Sequence, residues 1–140
     1  MKALLFLALL TSSAYACPEL RGEYIHCSST IQAYDVTYVD LTATDERTFS
    51  IGVWLDDDVQ GFDFTADGVS RETTVFQNSE DLHVNLKASC TEQELRVAYT
   101  SLEPGSPQMT SVYSSPKPRF LKIENYENAK LVNVTSCRFL

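Results

Sequence analysis

Along most of this chain apolar and polar residues alternate one by one, and no stretch carries the three-to-four spacing of an amphipathic helix. From Arg47 to Leu55, Phe49, Ile51, Val53 and Leu55 fall on one face and Thr48, Ser50, Gly52 and Trp54 on the other. From Leu82 to Cys90 the apolar set is Leu82, Val84, Leu86 and Ala88, with His83, Asn85, Lys87 and Ser89 opposite. Leu95, Val97 and Tyr99 repeat the pattern. A period of two places successive side chains on opposite faces of a strand, so these segments predict strands with one buried face.

Turn signals separate the runs. Asp67-Gly68 reads as a two-residue hairpin loop of type I′, in which both positions need positive φ. Asn78-Ser79-Glu80-Asp81 and Thr91-Glu92-Gln93 are polar breaks, and Glu103-Pro104-Gly105-Ser106-Pro107 and Pro116-Lys117-Pro118 are loops. Strands are expected near 20–28, 32–41, 47–55, 60–66, 69–76, 82–90, 94–101, 108–114, 119–124 and 130–139. About ten short strands joined by tight turns predict an all-β fold, a single antiparallel up-and-down barrel of about eight to ten strands. Closure removes the two exposed edges of a long meander. A two-sheet sandwich is the alternative.

The N-terminus falls outside this pattern. Met1-Lys2, the apolar run Ala3 to Leu10, and small residues at Ala14 and Ala16 have the form of a secretory signal cleaved after residue 16. The expected organisation is a signal peptide at 1–16 and one barrel domain at 17–140. No later stretch reaches the roughly 18 apolar residues of a spanning helix. A secreted or periplasmic protein follows. A lipid-modified Cys17 is the rival, but Tyr15 is bulky for a lipoprotein box and lipidation would leave three cysteines.

Charge narrows the partners. Cleavage removes Lys2 and leaves ten basic against nineteen acidic residues, a net charge of −9. An acidic surface repels phosphate backbones and anionic membranes, so nucleic acid is excluded as a partner and a cationic protein is admitted.

Cysteines at 17, 27, 90 and 137 form an even set with no Cys-x-x-Cys spacing, which predicts two disulfides rather than a zinc or redox site. In a closed barrel the first and last strands are antiparallel neighbours. That geometry predicts Cys17–Cys137 and leaves Cys27–Cys90, although the strand count puts Cys27 and Cys90 toward opposite ends.

Leu20-Arg21-Gly22-Glu23-Tyr24 resembles the Gly-x-Trp signature of the lipocalin and fatty-acid-binding-protein superfamily, the calycin type. The resemblance implies a barrel with Tyr24 plugging one end and Arg138 packed over it. Phe62 to Gly68 is similar to a mid-barrel hairpin of such proteins. Tyr24-Ile25-His26-Cys27 with Val36-Thr37-Tyr38 is similar to the start of small periplasmic inhibitors of C-type lysozyme, which are also disulfide-stapled barrels. The Ser-Gly-x-x-Tyr loop of that family does not occur here.

Candidate chemistry is sparse. His26 and His83 are far apart and lack ligand spacing, and His26 is expected on the Tyr24 face. Asp56-Asp57-Asp58 lacks the order of an EF-hand and reads as a solvated turn. Asn133-Val134-Thr135 fits a glycosylation sequon on the last strand. No nucleophile, phosphate-loop or metalloprotease motif occurs, so neither an enzyme nor a cofactor is expected. Two functions lead. One is a carrier of a small apolar ligand lined by Phe49, Ile51, Val53, Phe64, Val84, Leu86, Val97 and Tyr99. The other is a protein-binding module, such as a periplasmic inhibitor of a basic hydrolase; a structural envelope component is a third. A cavity inside the barrel favours the carrier, and a filled interior the binding module.

Overall fold

The computed structural model describes residues 16–31, 35–56 and 58–140. Residues 1–15 of the signal expected at 1–16 lie outside them. Ten strands run in chain order: β1 (Gly22–Ser29), β2 (Val36–Ala43), β3 (Thr48–Leu55), β4 (Val59–Thr65), β5 (Ser70–Gln77), β6 (Glu80–Cys90), β7 (Glu94–Ser101), β8 (Gln108–Ser114), β9 (Phe120–Glu127) and β10 (Lys130–Phe139). Each pairs antiparallel with its neighbours in sequence, and β1 pairs with β10, so the sheet closes into a barrel. No described helix is long and apolar enough to cross a membrane.

The alternation read from the sequence is what closes the core. Phe49, Ile51 and Val53 on β3, Val84, Leu86 and Ala88 on β6, and Leu95, Val97 and Tyr99 on β7 all turn inward and are buried. The intervening positions face water, as Arg71, Lys87 and Arg96 do. An apolar inside and a polar outside is the reverse of a barrel embedded in lipid.

Odd strands start and even strands finish at one end of the barrel, called the lower end here. Residues 16–21 form a strap across it. Leu20, placed on the first strand by the sequence pattern, instead lies in this strap and is fully buried. The Tyr24 hydroxyl donates to the Leu20 carbonyl at 2.7 Å, tying strap to barrel. Gly22 sits between them with φ of 144°, and a Cβ there would strike the Phe139 ring. Phe139 in turn meets Tyr24 edge-on, with ring centroids 5.5 Å apart. The Leu-x-Gly-x-Tyr motif thus closes the lower end, with Leu20 and Tyr24 as the plug. Arg138 does not cover Tyr24. It is exposed, over the Phe120 ring at 5.9 Å.

The strap also overturns the expected disulfide pairing. The bonds are Cys17–Cys90 and Cys27–Cys137. The expected Cys17–Cys137 bond assumed that the chain before β1 stays beside β10. It crosses beneath the barrel instead, and Cys17 meets the last residue of β6, a strand five places from β1 in either direction around the ring. Cys27 and Cys137 meet across the β1–β10 closure with Cα atoms 4.0 Å apart. The register there slips between Ile25 and Ser28, and His26 takes a φ of 51°. This bulge breaks the alternation, so His26 is exposed rather than on the Tyr24 face.

Turn chemistry moved as well. Asp67-Gly68 is not a type I′ hairpin, because only Gly68 has positive φ. The Asp67 carboxylate accepts from the Val69 N–H at 3.0 Å and pairs with Arg71, while the Gly68 N–H donates to the Ala88 carbonyl. These bonds draw the loop toward β6 and leave Gly61↔Phe76 as the one register pair between β4 and β5. Two-residue turns with both φ positive occur at Asn78-Ser79 and Asn128-Ala129. Asn at the first position accounts for them, because its short polar side chain tolerates the left-handed region.

Candidate functional site

A carrier would hold its ligand in the barrel interior. The eight residues expected to line a cavity all point inward, and none retains more than 8 % of its surface. Their rings pack on neighbouring inward side chains. Phe49 stacks on Phe64 with centroids 5.8 Å apart, and Tyr99 meets Phe62 at 5.4 Å. A ligand-sized void would leave its walls without contacts.

Toward the upper end, polar groups on β8, β9 and β10 face apolar Val36, Val53, Leu55 and Phe62 across a small cavity. Thr30 donates to Asn133 Oδ1 at 3.1 Å, Asn133 Nδ2 to Thr135 Oγ1 at 3.1 Å, and Ser111 to Asn125 at 2.8 Å. The cavity among these groups, Gln60 and Tyr113 measures about 40 Å³, room for a water or two rather than a lipid. Burial raises the pKa of the Tyr113 hydroxyl, so it stays neutral at any physiological pH. Asn133 is only 1 % exposed, so the sequon is inaccessible to a glycan in the folded chain.

The other residues singled out in the sequence are structural or isolated. Asp57 lies outside the described residues. The Asp58 carboxylate accepts from the backbone N–H groups of Asn78 and Ser79 at 2.7 and 3.1 Å, which fastens the β3–β4 loop onto the neighbouring turn. His83 faces outward beside Thr74.

The outside of the sheet carries a feature that the sequence reading passed over. Gly52 on β3 and Gly61 on β4 are register partners, and both face outward. Two facing positions without side chains leave a trench about 360 Å³ in volume. Trp54 folds over Gly52, where an added Cβ would lie 2.6 Å from the indole. Tyr38 holds that indole from the side, edge-on at 4.9 Å. The Tyr38 hydroxyl is committed to the Glu23 carboxylate, and this hydrogen bond, with burial and nearby charge adding to it, pushes its pKa up to about 12. Phe76, next to Gly61 across the β4–β5 seam and 41 % exposed, forms the opposite wall. Asp40, Asp63 and Asp81 also line the trench, together with Ser50 and Thr74. None of the three carboxylates makes an ion pair with a described residue. In sequence this was half visible. Trp54 was read as outward, but the facing of Gly52 and Gly61 is a matter of register.

No group of His, Cys, Asp and Glu suited to a metal occurs among the described residues. No known protein family matches the chain, and no curated protein is detectably similar to it.

Proposed function

We propose that this is an exported binding protein that engages a cationic protein partner through the outside of its barrel. The observation that supports the reading is the lumen: the eight side chains that would line a ligand cavity are each left 8 % exposed or less. The charge of the mature chain and the unpaired carboxylates around an aromatic trench supply a surface complementary to a basic protein. A closed ten-strand meander is compatible with a calycin-like barrel, and in this reading the barrel serves as a rigid scaffold rather than a container. Two disulfides suit an oxidising compartment, as export through the signal at 1–16 requires.

The test sets a basic protein of the lysozyme class against an acidic protein of similar size, with a fluorescent fatty acid as a third ligand. Binding to the basic protein that weakens steeply with salt, and no saturable uptake of the fatty acid, is the expected result. Saturable fatty-acid binding at one site per chain would overturn it. The intact mass of protein recovered from its host tests export. A chain beginning at unmodified Cys17 is expected, and an added diacylglyceryl group or a retained Met1 contradicts the reading.

A further inference from the structure

The geometry points to the Gly52–Gly61 trench as a seat for a single arginine side chain of the partner. The inference rests on the reading that the outer surface binds a cationic protein, and it names where and through which group.

Three properties of the trench select that occupant. Its floor is bare backbone at Gly61, and the register-paired Gly52 beside it carries only the overlying Trp54 indole, so a long side chain can lie flat against the sheet and the ring. Its walls are aromatic. Trp54 is pinned between Gly52 and Tyr38, and Phe76 stands across the seam. Flat, pre-placed rings stack on a planar guanidinium at little entropic cost. Its remaining charge is negative and uncommitted: Asp40 lies beside Gly52 on β2, Asp63 two residues beyond Gly61 on β4, and Asp81 beside Phe76 on β6. Strands stand about 4.8 Å apart. Carboxylates on β2, β4 and β6 are therefore too dispersed to chelate one metal ion, whereas a guanidinium on the trench floor needs only the nearest of them to accept its paired N–H donors. An apolar side chain would fill the trench and leave the carboxylates without a counter-charge. A bare ammonium would satisfy charge without using the width between the rings.

Trp54 is the chain's one tryptophan, so its fluorescence reports the trench directly. The probe is the peptide acetyl-Gly-Arg-Gly-amide, and the control is the same peptide with citrulline, which keeps the shape and removes the charge. The arginine peptide is expected to shift Trp54 emission saturably, with the citrulline peptide at least tenfold weaker. Gly61→Leu should abolish the response. An added Cβ there meets nothing closer than 3.8 Å, so the backbone accepts a side chain at the position from which it would fill the trench. The double substitution Asp40→Asn with Asp63→Asn leaves the shape intact and should weaken the arginine peptide at least fivefold. Equal response to the two peptides, no saturable shift, or an unchanged response in both variants overturns the inference. A basic protein that binds wild type and Gly61→Leu equally would remove the trench while leaving outward binding in place. An arginine peptide that seats while no basic protein binds would do the reverse.

Discussion

Gly22 is where a single residue decides most about the lower end of the barrel. Its φ of 144° is outside the range of ordinary side chains, and the Phe139 ring occupies the space a Cβ would need. Gly22→Ala must displace that ring and its contact with Tyr24, so a loss of about 1–3 kcal/mol is expected in urea unfolding. Asp67 is an exposed residue with a different role. Its hydrogen bonds from Arg71 and the Val69 N–H hold its pKa well below the usual 3.8. A depressed carboxylate stabilises the fold above its unfolded pKa and loses that contribution as pH falls through the folded one. Asp67→Asn should therefore lower the thermal midpoint modestly at pH 7, and the gap from wild type should close as the pH is taken well below 3.8. A gap that persists in acid would show that the side chain acts through shape rather than charge.

At the scale of elements, alternation carried the reading far. The ten strands lie within a few residues of where periodicity put them, except where a local event broke the period. The bulge at His26 reversed a face, and Leu20 left its strand for the strap. Neither is visible in a period of two. Asp67-Gly68 misled for a related reason. The dipeptide states that a turn occurs but not its type, and the Gly68 N–H found a better acceptor in Ala88. The consequence is a seam between β4 and β5 held by one register pair. Amide exchange should follow that map: peptides covering Val59–Thr65 and Ser70–Gln77 should exchange before those covering Glu80–Cys90 and Glu94–Ser101. Uniform protection around the ring would contradict a weak seam.

For the whole molecule, the cysteines show how far the sequence reaches. Their number predicted two disulfides, and the closed meander predicted that β1 and β10 meet. The partners still came out exchanged, because connectivity turned on the path of six residues before the first strand. The strap makes the two bonds do different things. Cys27–Cys137 seals the closure and spans 110 residues, while Cys17–Cys90 spans 73 and holds the plug in place. Replacing either pair with alanine should cost on the order of 2–5 kcal/mol in chemical denaturation. Only loss of Cys17–Cys90 should expose the chain around Leu20 to limited proteolysis. The candidate site was the least legible. The expected lining residues were inward as read, but whether inward side chains enclose a space or fill it depends on their packing across the lumen.

The direct test of a filled barrel with an outward-facing function is one methyl and amide NMR spectrum, followed through addition of oleate and then of the arginine peptide. The expected result is no movement of the inward methyls of Ile51, Val84, Leu86 and Val97 with oleate. With the peptide, shifts should be confined to Gly52, Trp54, Gly61 and their outward neighbours. Saturable shifts of the inward methyls with oleate would contradict the filled interior and restore the carrier.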